Sequence, residues 1–337
     1  MATDHQLRRS TTATVIAVAV ALAAGCSSAA GPTDSGAASP TSATADAGAA
    51  ATTATATPTT VPTGGYQVRS RTRTLVDDTR PTPDLPDTGV QPSADRTLVT
   101  TFTYPDAPGP FPLIVFAHGH NGHPRKFTQL FSSWARAGFV VAAPAFPLSN
   151  DEVPGAASVF DLVNQPGDVS FVITSTLQMS GDPDSFLQGR VNPEQIAVGG
   201  LSLGGATVYQ VAFDECCRDD RVDAVIVMDG PHPDGDGLDL DRGVPLLIMH
   251  ADADPVIAYR FAEEACAAAG PPKYLVTIHE AVHSSPYEDA PDPADQMVID
   301  TTTAFWRLHV AHQADAAADL SAAARVEGLT TVVEQPG

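Results

Sequence analysis

After residue 65 the sequence alternates between short apolar runs and longer segments of helical periodicity. Residues 113–117 (LIVFA) form a continuous apolar run with β-branched side chains, which is typical of a strand buried on both faces. Five later runs share this pattern, at residues 139–143, 196–200, 222–228, 244–249 and 274–278. Helical patterns lie between them, at residues 126–137, 168–179, 203–213, 256–269 and 293–311. The alternation predicts an α/β domain whose mostly parallel sheet is covered by helices on both faces.

Two earlier segments also have the pattern of strands. Residues 96–104 (RTLVTTFTY) alternate like a strand with one solvated face, and residues 68–75 are its expected partner. Together with the six buried runs they predict a sheet of eight strands. Functional side chains of such sheets collect at the carboxyl ends of the parallel strands, so the residues that follow each run are the candidates for a site.

The segment that precedes this domain has a different character. Arg8 and Arg9 come before an uncharged run, residues 15–24, that leads to Cys26. This is the layout of a bacterial export signal, and the run is too short to span a bilayer as a mature helix. Residues 27–65 consist mostly of Ala, Thr, Ser, Gly and Pro, which cannot form a core, so we expect a disordered linker.

Residues 23–26 (AAGC) resemble the lipobox of bacterial lipoproteins, although most lipoboxes carry leucine where this chain has Ala23. The resemblance implies a lipid on Cys26 and a protein anchored to the membrane at the cell surface. A plain secretory signal is the alternative, and it would give a secreted protein. The expected organisation is therefore a signal peptide, a linker, a folded domain and a C-terminal tail, at residues 1–25, 26–65, 66–313 and 314–337.

The charge and the cysteines narrow the choice of partners. Acidic residues outnumber basic ones by 40 to 18, which disfavours nucleic acid and polyanionic substrates. Besides Cys26 there are three cysteines, and an oxidising compartment favours a disulfide. We expect Cys266 to pair with Cys216 or Cys217, the alternatives being a bridge between the adjacent cysteines or free thiols. The cysteine spacing matches no metal site.

Residues 200–204 (GLSLG) carry a G-x-S-x-G motif between a predicted strand and a predicted helix. A serine at such a sharp turn has strained backbone angles, and the flanking glycines remove β-carbons that would clash. The motif in this position resembles the nucleophile turn of the α/β-hydrolases, which implies that Ser202 is the nucleophile. A serine hydroxyl needs a base, usually a histidine oriented by a carboxylate, and in this fold both follow the serine in the chain.

The triad acid is expected just after the fifth buried run. Residues 250–256 (HADADPV) resemble the H-G-x-x-D-x-x-V segment of many α/β-hydrolases, which implies that Asp254 is the acid. Asp252 is one alternative, and Asp229 is another because some members of the fold use the position after the preceding strand. Pro255 is expected to open the following helix at its first turn.

The base is expected after the last buried run. Residues 280–283 (EAVH) resemble the G-A-x-H turn that carries the histidine of many α/β-hydrolases, with the glycine replaced. The resemblance implies that His283 is the base. His279 is expected to be structural at the strand end, and His309 and His312 are expected in the terminal helix.

Two backbone N–H groups are needed to stabilise the oxyanion of an acyl-transfer reaction. The N–H of Leu203 follows the nucleophile directly. Residues 118–122 (HGHNG) follow the first buried run, and relatives with an H-G-x turn donate from the residue after the glycine, which implies His120. The rings of His118, His120 and His123 also invite a metal interpretation, but a histidine before glycine at this strand end is usually structural, so we expect no metal.

The resemblance extends over residues 66–313. Residues 73–83 (RTLVDDTRPTP) and 96–105 (RTLVTTFTYP) resemble the entry segment of platelet-activating-factor acetylhydrolases, dienelactone hydrolases and bacterial polyester hydrolases. Dienelactone hydrolases proper use cysteine at the nucleophile turn, so Ser202 disfavours that activity. The resemblance is specific for the superfamily and weak for the substrate.

These features together predict a serine ester hydrolase that acts on small or extended esters and needs no cofactor. We expect no lid domain and an open pocket walled by Phe146 and Leu148 and by the loop after Met228. The acidic segment 234–241 lacks the last acidic position of a calcium loop, so we expect it to be a solvated loop. The rival hypotheses are a peptidase or amidase with the same triad and a non-catalytic binding lipoprotein on a hydrolase scaffold.

Overall fold

The computed structural model describes residues 62–233 and 237–337. The strands are β1 (Val68–Asp77), β2 (Arg96–Pro105), β3 (Phe111–Ala117), β4 (Val140–Ala145), β5 (Val191–Leu201), β6 (Ala224–Met228), β7 (Leu246–Ala251), β8 (Lys273–Ile278) and β9 (Thr330–Gln335). The helices are α1 (Thr128–Arg136), α2 (Gln165–Gly181), α3 (Leu203–Phe213), α4 (Arg260–Ala268), α5 (Asp295–His309) and α6 (Ala316–Ala323). None of the helices in these two ranges has the length and apolar character needed to cross a bilayer.

Several predictions from the sequence lie outside the described residues. These are the export signal, Cys26 as the lipid attachment point, and the linker as far as residue 61. Residues 234–236 of the acidic segment lie outside them as well.

The described residues form one nine-stranded sheet in the order β1-β2-β4-β3-β5-β6-β7-β8-β9. The six strands from β4 to β8 in this order are parallel, as the alternating pattern predicted. At one edge β1 pairs antiparallel with β2, and β2 pairs antiparallel with β4. The two early strands therefore form the expected antiparallel entry to a parallel sheet.

The central strands are apolar throughout because both faces of the sheet are buried. Along β3, Leu113 and Val115 pack in one core layer, while Ile114 and Phe116 pack in the other. Helices α2, α3 and α4 cover the first face, and helices α1, α5 and α6 cover the second. On the second face the indole N–H of Trp134 donates to the Thr302 hydroxyl at 3.0 Å, which ties α1 to α5.

The prediction of a C-terminal tail after residue 313 is wrong. The segment 314–337 contains α6, whose Leu320 is buried in the core, and β9, which pairs antiparallel with β8. The sheet in the described residues thus has nine strands instead of the expected eight. Strand β9 lies at an edge and its burial alternates between partly buried and exposed residues, so its six residues lack the apolar run that marked the other strands.

The predicted disulfide from Cys266 to Cys216 or Cys217 is also wrong. The structure joins Cys216 to Cys217 and leaves Cys266 free. Cys266 lies on α4 and faces the core between that helix and the sheet, where burial raises the pKa of its thiol. The adjacent pair lies in a turn after α3 with Cys216 exposed. Cys266 is therefore buried on a helix, apart from the bonded pair in its turn, which the spacing in the sequence could not indicate.

A buried network of ion pairs joins the entry strands to the segment after β4. The guanidinium of Arg96 on β2 lies 2.8 Å from Asp161 and 2.6 Å from Asp168, and all three side chains are fully buried. Arg80 adds a second contact to Asp168 at 2.9 Å. Asp161 belongs to a short 3₁₀ segment, Val159–Val163, and also accepts from the backbone N–H of Leu148. The network fixes this segment, which borders the candidate site described below.

Candidate active site

Ser202 lies between the end of β5 and the start of α3, with backbone angles of φ 56° and ψ −117°. Non-glycine residues rarely adopt a positive φ, and holding one there costs about 1–3 kcal/mol. The Ser202 N–H donates to the carbonyl of Met228 at 2.9 Å, which supports the turn. A β-carbon at Gly200 would overlap the carbonyl of Gly204, and one at Gly204 would overlap the carbonyl of Ala117. Both glycines of the motif are therefore required by close backbone approaches.

The imidazole of His283 lies between a hydroxyl and a carboxylate. Its Nε2 is 2.9 Å from Oγ of Ser202, and its Nδ1 is 2.7 Å from Oδ2 of Asp254. With the proton on Nδ1, the ring donates to Asp254 and accepts from the serine hydroxyl. The three residues come from three different loops, after β5, β7 and β8, at the carboxyl edge of the parallel strands. The structure thus brings together the three residues that the sequence proposed as nucleophile, base and acid.

Asp254 is held by its own backbone as well as by the histidine. Its Oδ1 accepts from the N–H groups of Val256 at 2.7 Å and Ile257 at 3.0 Å. Burial acts to raise the pKa of Asp254, but the hydrogen bonds from His283 and the backbone outweigh it, so the pKa lies below its ordinary value. The same hydrogen bonds hold residues 255–257 in a turn, so α4 begins only at Arg260. The prediction that the helix begins at Pro255 is therefore wrong.

The backbone N–H groups of His120 and Leu203 remain available for an oxyanion. Within the described residues neither group donates to a protein acceptor, whereas the N–H of Asn121 donates to Ser149 and that of Gly122 donates to Gly119. A β-carbon at Gly119 would lie 3.1 Å from the β-carbon of Ser202, so this loop passes directly beside the nucleophile. One expected donor therefore follows Ser202 at the start of α3, and the other lies on the loop that passes beside it.

Two of the three other histidines considered after Ser202 have structural partners. His279 pairs with Asp252, with Nδ1 2.7 Å from Oδ2, in a partly exposed contact beside the triad. His309 on α5 contacts the Tyr274 hydroxyl at 3.1 Å, and His312 lies past the end of that helix instead of within it. The structure brings none of these three rings to Ser202.

The rings of His118, His120 and His123 do not converge. His118 is buried, donates to the carbonyl of Gly119 at 2.7 Å and accepts from the N–H of Phe146 at 3.0 Å. Burial lowers the pKa of His118 to about 4, so it stays neutral. The His120 ring instead contacts the Ala157 carbonyl at 2.8 Å. The rings of His118 and His120 are thus used to fix loops.

The expectation that Phe146 and Leu148 wall the pocket is wrong. Phe146 and Leu148 are fully buried and belong to the core, since Phe146 packs against the His118 ring. Segment 157–165 instead contacts the elements on either side of the nucleophile: Ala157 binds the His120 ring, and Gln165 accepts from Thr207 in the first turns of α3. Sequence alone did not single out this segment, although its apolar residues after a Pro/Gly-rich loop were a visible signal.

Asp229 is a second carboxylate beside the triad. It follows β6, is fully buried, and places Oδ2 3.9 Å from Nδ1 of His283. Asp254 is closer at 2.7 Å, so it is the acid that the geometry favours.

Residues 79–238 of the chain match the sequence profile of the Chlorophyllase family, slightly under half of its length. The matched segment includes the Ser202 turn and the strands on either side of it. The order of the sheet and the geometry of this turn agree with that match. The chain has the α/β-hydrolase fold. The matched segment of this α/β-hydrolase ends at residue 238, before the loops that carry Asp254 and His283. No curated protein sequence matches the chain.

Proposed function

We propose that this α/β-hydrolase is a serine hydrolase of carboxylic esters, with Ser202 as nucleophile, His283 as base and Asp254 as acid. The observation that carries the proposal is the pair of contacts of His283, 2.9 Å to Ser202 and 2.7 Å to Asp254. A hydroxyl, an imidazole and a buried carboxylate in this order form a relay that activates the serine. The resemblance to a hydrolase family supports the same class of reaction.

In the first step Nε2 of His283 takes the proton of the Ser202 hydroxyl while Oγ bonds to the ester carbonyl carbon. The N–H groups of His120 and Leu203 donate to the resulting oxyanion. His283 then gives its proton to the leaving alcohol, and the ester bond breaks to leave an acyl group on Ser202. In the second step His283 deprotonates a water molecule, whose oxygen attacks the acyl carbon, and the proton returns to Ser202 as the acid is released. None of the bond changes in these two steps requires a cofactor.

Asp254 has two roles in this scheme. Its hydrogen bond keeps the proton of the neutral imidazole on Nδ1, which leaves Nε2 free to accept from Ser202. Its negative charge stabilises the imidazolium that forms in both steps. Because the hydrogen bonds from His283 and the backbone lower the pKa of Asp254 below its ordinary value, the carboxylate stays charged near neutral pH.

The proposed substrates are neutral esters with an apolar part, small or extended. Several exposed apolar side chains lie on segments that carry or border the triad: Phe160, Val163, Val256 and Val282. We call these four residues the apolar rim. Phe160 is 74% exposed and lies on the 3₁₀ segment that Asp161 anchors, while Val282 directly precedes His283. The acidic balance of the chain, a net charge of −22, disfavours anionic substrates.

The test is hydrolysis of short p-nitrophenyl esters by the purified wild type, Ser202→Ala and a control, Ser133→Ala on α1. We expect the Ser202→Ala variant to lose activity and the control to retain it. Retained activity in Ser202→Ala contradicts the proposal. Preference for peptide p-nitroanilides over esters would favour a peptidase or amidase, and absence of any Ser202-dependent turnover would favour a binding protein.

We also propose that the chain is exported and anchored through a lipid on Cys26. The proposal rests on Arg8 and Arg9, the apolar run before Cys26, and a linker of small residues that reaches residue 65. A diacylglycerol with long acyl chains binds a membrane firmly, since each buried methylene contributes about 0.8 kcal/mol. In cells fed a labelled fatty acid, wild type and Ser27→Ala should carry label and sediment with membranes. Cys26→Ser should do neither, and label on that variant would contradict the proposal.

A further inference from the structure

The buried carboxylate of Asp229 joins three elements of the site. Its Oδ1 accepts from the backbone N–H of Ala251 at 2.8 Å and from the hydroxyl of Tyr287 at 3.1 Å. Its Oδ2 accepts from the backbone N–H of Ser284 at 3.2 Å. Ala251 ends the strand that leads to the acid, and Ser284 directly follows the base. One side chain therefore connects the end of β6, the acid strand and the base loop.

The backbone at both ends of this connection has unusual angles. Asp229 has a φ of 42° and Ser284 a φ of 67°, while Glu280 in the same base loop has a φ of 59°. Such values cost about 1–3 kcal/mol each for non-glycine residues and persist only where surrounding contacts hold them. The hydrogen bond from Ser284 to Asp229 is one such contact, so the position of the base loop depends on this carboxylate.

Asp229 also contributes charge to the environment of His283. The groups facing the imidazole are Ser202, Asp254 and Asp229, and those facing Asp229 are His250, His283, Asp254 and Tyr287. Burial raises the pKa of Asp229, while its three hydrogen-bond donors stabilise the charged form. Burial and the nearby carboxylate raise the pKa of Tyr287, so its hydroxyl keeps the proton that it donates. The imidazole thus lies between two carboxylates, one bonded and one 3.9 Å away.

We propose that Asp229 is a positioning residue for the hydrolysis, which holds His283 in reach of both Ser202 and Asp254 and stabilises the imidazolium. Asp229 exchanges no proton in this role: the proton moves from Ser202 to Nε2 of His283 and back. The inference rests on the proposed function, because it assigns a task within the same triad.

Two other roles for Asp229 fit the geometry less well. If Asp229 were the triad acid, His283 would have to turn away from Asp254. Nδ1 of His283 lies 2.7 Å from Asp254 but 3.9 Å from Asp229, and two backbone N–H groups hold Asp254 in place. As a metal ligand it would act with His250 and Asp254, which lie close enough to share an ion. The oxygens of both carboxylates already accept hydrogen bonds, and Nε2 of His250 contacts the Ile257 carbonyl at 3.1 Å.

The experiment compares Asp229→Asn with Asp252→Asn in the full chain. Both substitutions remove one negative charge from a carboxylate that contacts the base loop, since Asp252 accepts from the N–H of Glu280 at 2.8 Å. Asp252 is partly exposed and contacts His279 instead of His283. kcat and KM for p-nitrophenyl butyrate are measured across the pH range, alongside wild type, Asp254→Asn and Ser202→Ala.

For Asp229→Asn we expect kcat to fall by about 10- to 100-fold with KM nearly unchanged, because the base is misplaced rather than the substrate. We also expect the acid limb of kcat/KM to move about one pH unit lower, because the imidazolium loses a neighbouring charge. Asp252→Asn should show smaller changes in both quantities. A shift of the acid limb of kcat/KM distinguishes a positioning role from a purely structural one. A purely structural role would change the yield of folded protein and leave the acid limb where it is.

Three results would overturn the inference. One is an acid limb that does not move in Asp229→Asn, and another is a loss as large as that of Asp254→Asn, which would make Asp229 the acid. If circular dichroism shows that Asp229→Asn does not fold, Tyr287→Phe is used in its place, because it removes one hydrogen-bond donor to Asp229 and keeps the charge. An unchanged kcat in Tyr287→Phe is the third result that would overturn the inference. Failure of the proposed function has a different result, namely full activity in Ser202→Ala.

Discussion

Nδ1 of His283 lies 2.7 Å from Oδ2 of Asp254, and no rotation of the carboxylate is needed to make this contact. The other oxygen of Asp254 is fixed by the backbone N–H groups of the turn that follows it. The acid is therefore held before substrate binds, and the orientation of the base follows from it.

Asp254→Asn should lower kcat by about 10⁴-fold with little change in KM, because the amide favours the wrong tautomer of His283 and carries no charge. Steady-state kinetics on a short ester measures the effect. Asp252→Asn is the matched control and should lose far less. Equal losses in the two variants would show that the acid is assigned to the wrong residue.

Gly204→Ala should destabilise the fold, because the added β-carbon overlaps the carbonyl of Ala117 where β3 ends beside α3. We expect the free energy of unfolding to fall by about 1–3 kcal/mol. Gly181→Ala at the end of α2 is the control, since a β-carbon there meets open space. Urea unfolding compares the two, and equal stability of both variants would mean that the backbone approach is looser than described.

Phe160→Ser and Val282→Ser should reduce activity selectively on long-chain esters, because the apolar rim loses contact with the hydrocarbon part of the substrate. Two buried methylenes correspond to about tenfold in kcat/KM, at roughly 0.8 kcal/mol each. A panel of p-nitrophenyl esters from acetate to dodecanoate measures the effect, with Val333→Ser on β9 as the control. A uniform loss across chain lengths would rule out the rim as a substrate contact.

His309 should make the fold less stable in mild acid. Burial, with a smaller contribution from His312, lowers the pKa of His309 from 6.5 to about 4. As the pH falls below 6.5 the unfolded chain takes up a proton at this residue and the folded chain does not, so unfolding becomes more favourable down to about pH 4. His309→Phe should remove about 2–3 kcal/mol of this loss between pH 7 and 4.

The measurement for His309 is the free energy of unfolding at pH 7 and pH 4 in wild type, His309→Phe and His312→Asn, which removes only the smaller contribution and should change the pH dependence far less. The quantity of interest is the difference between each variant and wild type, since carboxylates titrate over the same range. A pH dependence that is identical in wild type and His309→Phe would contradict the prediction.

The central sheet could be predicted because its signals are local. A strand buried on both faces, such as β3, is apolar along its length, and six such runs, most of them separated by helices, leave few arrangements. Strand β9 gave no such signal, because an edge strand with one solvated face needs only alternate apolar residues. Its pairing with β8 depends on contacts between residues distant in the sequence, so the sequence pattern indicated a C-terminal tail where the structure has a strand.

The candidate site was only partly predictable for a related reason. Ser202, Asp254 and His283 each follow a buried strand in a recognisable turn, so their positions could be proposed from short motifs. The direction of a side chain is a different matter: Phe146 and Leu148 follow β4 as expected but point into the core. Asp229 was visible at the end of its strand, yet its bonds to Ala251 and Ser284 require the folded loops.

The most direct test of the account is to label the protein with a fluorophosphonate and map the adduct by peptide mass spectrometry. This probe bonds only to a serine whose hydroxyl is activated by a base. We expect a single adduct on the peptide that contains Ser202, absent in Ser202→Ala and formed much more slowly in His283→Ala. An adduct on another serine, or no adduct on folded wild-type protein, would contradict the assignment of Ser202 as the nucleophile.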